Sequence, residues 1–225
     1  MLRKIFLILL LGFLFMGNLR ASGYRDPENL TEGYVQELYE KLRVQDKIPY
    51  VVFRRGYYGY YRTPGKRAGI LTIIDYTKPS NEPRFYVLDL AGKRLVWESY
   101  VSHGKNSGLI VPVIFSNNRN SYQSSLGFYK TLDTYRGDYG YSLRLQGLEE
   151  GFNSNVLPRK IVIHGAEYSD PSFIKDHGFL GRTNGCPALP PSVSSDIIDY
   201  IKGGTVIYVV GNDNRYLERS AYVRF

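Results

Sequence analysis

The chain contains one cysteine, Cys186, and it lies in the stretch GRTNGCPALP at residues 181–190. Glycine and proline on both sides of it favour a tightly turned loop over a helix or a central strand. One cysteine cannot form a disulfide within its own chain, which leaves an inert buried thiol, an intermolecular bridge or a nucleophile. Free cysteine is among the most buried residue types, so counting alone favours the inert thiol slightly.

Each of the three histidines is followed by glycine, which lets the backbone turn sharply beside the imidazole. His164 ends the buried-strand pattern RKIVIHG, 22 positions before Cys186, so its ring is predicted where a rigid element meets a loop. His103, in VSHGKNSG, ends another strand pattern and is a candidate to line the same cleft. His177 lies in a polar segment that is expected to be solvated, which makes it the weaker candidate for a base.

A cysteine and a histidine are the minimum for nucleophilic acyl transfer. The imidazole of His164 takes the proton of the Cys186 thiol, the thiolate attacks a carbonyl, and the imidazolium protonates the leaving amine. Gly185 lets backbone N–H groups approach the substrate carbonyl as an oxyanion hole, and Asn184 adds a side-chain donor. One such donor is typically worth about 2.7 to 4 kcal/mol of transition-state stabilisation. Pro187 has no N–H to contribute.

Other chemistries need residue patterns that this sequence lacks. One cysteine and three scattered histidines do not make a closed zinc set, and neither a glycine-rich phosphate loop with its lysine nor HExxH occurs. No GxSxG elbow occurs either. Paired carboxylates for glycoside hydrolysis remain open, although no pair stands out. We therefore predict a Cys/His site with no metal and no cofactor.

The elements that must hold these residues are short β-branched and aromatic runs separated by turns. Eight runs are predicted as strands: GILTIIDY, RFYVLDL, RLVWESYV, LIVPVIF, LGFYKTL, YSLRLQGL, KIVIHG and TVIYVVG. Only PPSVSSDIIDYIKGG, ahead of the last run, has a helical pattern, so alternating βαβ units are not indicated. The prediction is a mainly β fold, an antiparallel barrel or sandwich with a few short helices.

Two helices are predicted ahead of the strands. NLTEGYVQELYEKLR repeats apolar residues at helical spacing, and PYVVFRRGYYGYYRTPG opens with a proline suited to a first helical turn. Residues 24–66 are therefore predicted as an N-terminal helical segment packed on a catalytic domain at residues 67–225.

The first residues have the pattern of a secretory signal peptide. MLRK precedes an apolar run from Ile5 to Met16, and the small residues ASG follow at 21–23. That run of 12 residues falls short of the about 20 that span a bilayer, which favours cleavage over anchoring. Residues 1–21 are predicted as a signal peptide, and the protein as exported to the periplasm or cell envelope with no stable membrane insertion after cleavage.

The charge balance is basic, with 29 Lys and Arg against 21 Asp and Glu and a net charge of +8. A basic exported protein suits an anionic envelope polymer or membrane surface, and an ordinary solvated basic surface explains the balance equally well. No nucleic-acid partner is predicted.

Several stretches together resemble the murein L,D-transpeptidase catalytic domain family, bacterial enzymes that cross-link peptidoglycan through a cysteine. The resemblance runs from Leu71 to Pro190 through LTIIDYTKPSNEPRFYVLDL, VSHGKNSG, SSLGFYKT, YGYSLRLQGLEEG, RKIVIHGAEY and LGRTNGCPALP. The last two stretches are the most specific, and the GCPAL loop is similar to that of one branch of the family. The fold that the resemblance implies is the β-barrel or sandwich of the L,D-transpeptidase type.

Carried over position by position, the resemblance implies that His164 is the general base and Cys186 the nucleophile, with Gly185 as the glycine that precedes it. Thr183 matches the family's Ser/Thr position. Where the wider family has a second histidine, this chain has Asn184, as is typical of the GCPAL branch.

The resemblance also implies a reaction. Cys186 attacks the carbonyl of the third, diamino-acid residue of a tetrapeptide stem, expels the terminal D-Ala and forms a thioester, which an amine of a neighbouring stem then takes. With water as acceptor, the same pair gives an L,D-carboxypeptidase or an endopeptidase. A third hypothesis is no enzyme at all, but an exported β-domain that binds wall polymer and keeps Cys186 buried.

Peptidoglycan stem peptides are the partners that the resemblance implies, and the sequence does not indicate an oligomeric state. Substrate contacts are predicted at four further residues: Arg182, His103, Gly165 and Ser125. The guanidinium of Arg182 suits a two-pronged contact with a stem carboxylate, and an ordinary surface arginine is the equal alternative. Glu167, Ser169 and backbone carbonyls are the candidates to orient His164.

Overall fold

The structure is a computed structural model that describes residues 30–224. The predicted signal peptide at residues 1–21 lies outside the described residues. None of the helices formed within residues 30–224 has the length and apolar character needed to cross a bilayer.

Within residues 30–224, eight strands form one mixed sheet in the order β3-β2-β1-β8-β4-β5-β6-β7. The strands are β1 (Ile70–Asp75), β2 (Phe85–Asp89), β3 (Arg94–Ser99), β4 (Gly127–Gly137), β5 (Gly140–Gly147), β6 (Val162–Gly165), β7 (Ala188–Leu189) and β8 (Val206–Val210). Neighbours are antiparallel except for the parallel pairs β1/β8 and β6/β7. The predicted mainly antiparallel β fold is confirmed, with two parallel pairs added.

The sheet curls until its two ends nearly meet. Just beyond β3, the Ser102 N–H donates to the carbonyl of Ala188 in β7 at 2.8 Å, and the two residues form an antiparallel bridge. A second bridge joins Gly104 to Thr183 in parallel. These contacts bring the chain that follows one edge strand onto the other edge strand, so the sheet is almost a closed barrel.

Seven of the eight predicted runs become strands, and LIVPVIF does not. Residues 109–115 are irregular, with the side chains of Leu109, Val113 and Ile114 exposed. Pro112 interrupts the run and lacks the N–H that a ladder needs. The eighth strand is instead the two-residue β7, directly after the cysteine loop, which is too short to leave a pattern in the sequence.

Five α-helices accompany the sheet within residues 30–224: α1 (Glu32–Leu42), α2 (Tyr50–Arg62), α3 (Pro171–His177), α4 (Pro191–Ile201) and α5 (Asn214–Arg219). The first two occur where the apolar spacing predicts them. The Thr31 hydroxyl caps α1 by accepting from the Tyr34 N–H at 3.3 Å. In α2, a Cβ on Gly59 would lie 2.0 Å from the Phe128 ring, so the glycine lets this helix approach the sheet closely.

Helix α4 supports the two strands that carry the candidate catalytic residues. It begins at Pro191, two residues after β7 ends, and buries Ile197, Ile198 and Ile201 against the core. A Cβ on Gly165 of β6 would lie 2.5 Å from the Ser194 hydroxyl, so the helix and the strand are in close contact. The end of β6 is therefore fixed from behind.

Candidate active site

The pairing of β6 with β7 brings His164 and Cys186 to the same edge of the sheet. His164 lies opposite Ala188 in the parallel ladder, and Cys186 precedes Ala188 by two residues. Both side chains line one open pocket of about 220 Å³. The other lining residues are Tyr139, Tyr168, Arg182, Thr183 and Asn184.

The loop before the cysteine is held by the Thr183 side chain. Its hydroxyl accepts from the Gly185 N–H at 2.9 Å and donates to the Cys186 carbonyl at 2.8 Å. The Thr183 backbone is tied to a neighbouring segment, since its N–H donates to the His103 carbonyl at 2.9 Å and its carbonyl accepts from the Lys105 N–H at 2.8 Å. Residues 183–186, called the nucleophile loop because they end at the predicted nucleophile, thus form a turn closed by one buried hydroxyl.

Gly185 is required by the shape of this turn. Its φ is +123°, a conformation that residues with a side chain rarely adopt. An added Cβ would lie 2.8 Å from the Gln123 carbonyl oxygen and 2.9 Å from the Ile161 Cδ1 atom. The Gly185 N–H is already bonded to Thr183, and the exposed Asn184 amide and Arg182 guanidinium are donors that line the pocket.

The Cys186 side chain is buried, with only 6% of its surface exposed. Burial raises the pKa of its thiol to about 11, while the Val162 N–H and the Arg159 guanidinium act in the opposite direction. The sulfur lies 3.8 Å from the Lys160 carbonyl oxygen, and no hydrogen bond joins it to His164 within the described residues. The resting cysteine is therefore a neutral thiol turned toward a backbone carbonyl.

The His164 ring is oriented by its own strand. Nδ1 lies 3.0 Å from the Gly165 carbonyl oxygen, a bond that requires Nδ1 to carry the proton and leaves Nε2 as a free base. Of the candidates for this orienting role, a backbone carbonyl holds the ring, whereas the Ser169 hydroxyl donates to Ser102 at 2.8 Å. Burial lowers the pKa of His164, so its imidazole is neutral at neutral pH.

Two aromatic residues that the sequence analysis did not single out complete the pocket. Tyr139 lies at the tip of the β4–β5 hairpin, and its ring stacks on His164 with centroids 4.6 Å apart. Tyr168 forms another wall, and burial raises the pKa of its phenol to about 12. The one available signal for Tyr139 was an aromatic residue in a tight turn between two strand patterns.

His103 is placed outside the pocket, with both ring nitrogens engaged. Nδ1 accepts from the Arg84 guanidinium at 2.8 Å, and Nε2 donates to the Gly108 carbonyl at 3.1 Å. Burial and the positive charge of Arg84 lower the pKa of His103 to about 3. In this arrangement the ring holds together the segment that bridges to the nucleophile loop.

Ser125, Gly165 and His177 also lie outside the residues that line the pocket. The Ser125 hydroxyl accepts from Arg159 at 2.6 Å, and Gly165 faces helix α4. His177 is exposed at the end of α3, where its ring stacks on Phe173 with centroids 3.9 Å apart. Of the eight residues predicted for the site, the pocket brings together Cys186, His164, Asn184 and Arg182, with Gly185 directly behind them; the roles of all eight stay predictions.

A metal centre finds no support in the described part of the chain, where no group of three or more His, Cys, Asp or Glu side chains is placed to hold an ion. The pocket lining itself carries one histidine, one thiol and one guanidinium, and no carboxylate. This set of groups fits acyl transfer and the recognition of an anion.

Comparison with known proteins gives one family. The family model described as L,D-transpeptidase catalytic domain matches residues 44–210. A search of curated protein sequences finds no match.

Three solved structures illustrate the structural similarity. An L,D-transpeptidase from Mycobacterium smegmatis is 15% identical with a TM-score of 0.38 over 64% of this chain and 59% of that one. An L,D-transpeptidase from Stackebrandtia nassauensis is 14% identical with a TM-score of 0.40, covering 80% and 77%. The helical cell shape determining protein Pgp2 from Campylobacter jejuni is 12% identical with a TM-score of 0.42, covering 64% and 48%.

Proposed function

The chain belongs to the L,D-transpeptidase catalytic domain family, and we propose that it is a peptidoglycan L,D-transpeptidase with Cys186 as nucleophile and His164 as general base. The observation that carries this proposal is the shared pocket, in which the thiol and an imidazole with a free Nε2 lie at the ends of adjacent strands. The donor is a tetrapeptide stem, and the acceptor is an amine of a second stem.

The first step joins the Cys186 sulfur to the carbonyl carbon of the third stem residue. Because the thiol pKa is raised and the His164 pKa is lowered, the resting pair is neutral, and the proton moves from Sγ to Nε2 as the S–C bond forms. The tetrahedral intermediate then collapses, the C–N bond to the terminal D-Ala breaks, and the imidazolium gives its proton to the departing amine. A thioester on Cys186 remains.

The second step transfers the acyl group. The acceptor amine attacks the thioester carbonyl, its proton passes to His164 Nε2, and the thiolate that leaves takes this proton back. Asn184, exposed at the pocket, is placed to donate from its side-chain amide to the oxyanion in both steps. Its position next to Gly185 supports this role, because the rigid turn fixes the backbone from which the amide projects.

Arg182 is proposed to bind the carboxylate of the donor stem. It is exposed at the pocket, its Nη1 donates to the Lys105 carbonyl at 3.3 Å, and no acidic side chain lines the pocket to compete for it. A guanidinium makes two parallel hydrogen bonds to a carboxylate, which fixes both the position and the direction of the stem.

Enzymes of this family act on the cell wall, so we place the protein in the cell envelope. The basic and apolar start of the chain supports export by a signal peptide at residues 1–21. The proposed mature chain consists of the helical segment at 24–66 and the catalytic domain at 67–225.

A hydrolase is the second candidate, because the pocket is open to water. Asn184 and Arg182 are exposed at its mouth, and half of the Tyr139 surface is accessible. If water reaches the thioester before an amine does, the same residues release a tripeptide stem as an L,D-carboxypeptidase.

The test is to incubate the protein with purified tetrapeptide muropeptides and to identify the products by mass spectrometry. Dimers that disappear in Cys186→Ala and His164→Ala support the transpeptidase, and shortened stems with the same dependence support the hydrolase. His177→Ala is the matched control, since this exposed ring lies outside the pocket and should leave the product yield unchanged. Products that persist in Cys186→Ala, or no products at all, would contradict both proposals.

A further inference from the structure

A partly buried arginine lies directly behind the nucleophile loop. Arg159 precedes β6, five residues before His164, and its Nη2 atom is 3.2 Å from where a Cβ on Gly185 would lie. Its guanidinium is therefore packed against the backbone that presents Cys186. It is absent from the pocket lining, so the substrate side of the loop faces away from it.

The hydrogen bonds of this guanidinium all go to neutral acceptors. Nη1 donates to the Ser116 carbonyl at 2.7 Å and to the Ser125 hydroxyl at 2.6 Å. Nη2 donates to the Gln123 carbonyl at 2.6 Å and to the Ser121 hydroxyl at 3.2 Å. These bonds fix the guanidinium in place without neutralising its charge.

No carboxylate compensates that charge, since none of the salt bridges among residues 30–224 involves Arg159. An arginine in a partly buried site is normally paired with an acid, because removing the charge from water is costly. The acidic groups whose charge acts on Arg159 are the Tyr129 phenol and the Cys186 thiol, and both are neutral at rest.

Among the charged groups near the thiol, Arg159 is the cation whose charge lowers the pKa of Cys186. Tyr76 and Tyr168 lie near enough to sense the charge of an ionised Cys186, and Tyr129 senses that of Arg159; their pKa values are all raised, so all three phenols are neutral. His164 is neutral at neutral pH. Between Cys186 and Arg159 the interaction is mutual: the guanidinium favours the thiolate, and the thiolate favours the guanidinium.

We propose that Arg159 is a positioning residue that stabilises negative charge at Cys186 by a fixed, partly buried charge and that holds the segment 116–125 against the nucleophile loop. The inference rests on Cys186 being the nucleophile of the proposed function. A guanidinium stays protonated across the whole working pH range, so this stabilisation does not titrate. It acts when the thiolate forms on attack and again when the thiolate leaves the thioester.

Two alkylating reagents of similar size measure this charge without any peptidoglycan. Iodoacetate is an anion and iodoacetamide is neutral, so the ratio of their rates with Cys186 reports the local electrostatic potential. Because the exposed Arg182 also attracts iodoacetate, the measurements are made in an Arg182→Gln background. There we expect Arg159→Gln to lower the iodoacetate-to-iodoacetamide ratio about tenfold, the change that one pKa unit of differential interaction produces.

Three comparisons separate charge from structure. Arg159→Lys keeps the charge and should keep most of the ratio, although it loses hydrogen bonds. Ser121→Ala removes only the 3.2 Å bond and should leave the ratio unchanged. A loosened loop raises both rates together and so does not move the ratio.

A measurement on protein that keeps Arg159 makes the test decisive even if Arg159→Gln does not fold. The ratio for folded protein in the Arg182→Gln background should exceed that for the same protein unfolded in urea. An unchanged ratio on unfolding, or a ratio in Arg159→Gln equal to its parent, would overturn the inference. Neither readout depends on transpeptidation, so failure of the muropeptide assay and failure of this proposal are distinguishable.

Discussion

At the level of single residues, the ionisation of the catalytic pair sets how the reaction starts. A cysteine that is ionised at rest needs a low thiol pKa, whereas burial raises the pKa of Cys186 to about 11 and lowers that of His164. The pair is therefore uncharged between substrates, and the charge appears only on attack. An uncharged thiol is also a poor target for oxidants.

The pH dependence of activity follows from this ionisation. Activity requires neutral His164, and burial depresses its pKa, so the acid limb of the rate profile should have its midpoint below the ordinary value of 6.5. Protonation of His164 as the pH falls through that midpoint removes the base. The measurement is kcat/KM for D-Ala release from pH 4 to 9, and an acid limb with a midpoint above 7 would contradict the neutral-pair mechanism.

Thr183 provides a second prediction, because one hydroxyl makes two bonds inside the nucleophile loop. Thr183→Val keeps the shape but removes both bonds, at about 1 kcal/mol of unfolding free energy for each. Activity should fall further than stability, since the turn that places Cys186 is loosened. Urea unfolding and D-Ala release measure the two effects.

Thr183→Ser is the matched variant, because serine restores the hydroxyl. It should recover most of the activity of the wild type. A loss in the serine variant as large as that in the valine variant would show that the hydroxyl alone does not hold the loop.

Gly185→Ala should be severely damaging, since the alanine must adopt φ +123° and its Cβ must displace the Gln123 carbonyl. We expect a loss of about 1 to 3 kcal/mol of unfolding free energy from backbone strain, and more from the clash. Gly151→Ala separates the two contributions, because Gly151 also has a positive φ, +78°, but nothing lies within 4 Å of its Cβ position. A Gly185→Ala protein no less stable than Gly151→Ala would show that the contact is harmless.

At the level of elements, the tip of the β4–β5 hairpin lies over the imidazole ring of His164 in the neighbouring strand β6. The tip residue, Tyr139, stacks on the His164 ring, and 51% of the Tyr139 surface is exposed, so this contact adds little to stability. Its effect is to limit how far the imidazole can turn. In the proposed mechanism, the hairpin therefore contributes to catalysis by orienting this ring.

Tyr139→Ala should accordingly lower kcat for D-Ala release severalfold while moving the melting temperature little. Tyr139→Phe keeps the stacked ring and should behave like the wild type. If the phenylalanine variant loses as much activity as the alanine variant, the hydroxyl and not the stacking is what matters.

The sequence predicts these elements unevenly, for physical reasons that particular residues illustrate. His164 and Cys186 were identifiable because a strand pattern ends at one and an isolated thiol sits in a glycine- and proline-rich loop. Arg159 was not, because an arginine before a strand is an ordinary surface pattern until four neutral acceptors from a distant segment enclose it. The run at 109–115 was misassigned because its apolar residues satisfy a strand pattern while remaining exposed.

At the level of the whole molecule, the C-terminal part of the chain is tied to the barrel through Glu149. Its carboxylate accepts from the Phe128 N–H at 2.8 Å, from the Tyr216 hydroxyl at 3.0 Å and from the Ser220 hydroxyl. Burial outweighs these bonds and raises the pKa of Glu149 above its usual 4.5. The carboxylate thus joins α5 to β4, and desolvation makes its charged form unfavourable.

This raised pKa fixes the sign of a pH effect on stability. The contribution of Glu149 is fully present below pH 4.5 and is lost as the pH rises through the folded-state pKa. Glu149→Gln cannot ionise, so its unfolding free energy should fall less than that of the wild type between pH 4.5 and 7. Urea unfolding at several pH values measures the difference, and parallel curves for the two proteins would contradict the assignment.

The bridge between Ser102 and Ala188 has a consequence for how the protein acquires its activity. The two residues are 86 positions apart, and the strand that follows the nucleophile loop has only β6 and this bridge as partners. Contacts between such distant residues carry a large loop-closure entropy and are slow to form. In an unfolded chain the thiol and the imidazole are therefore not yet a pair, and in the proposed mechanism activity depends on this ladder being closed.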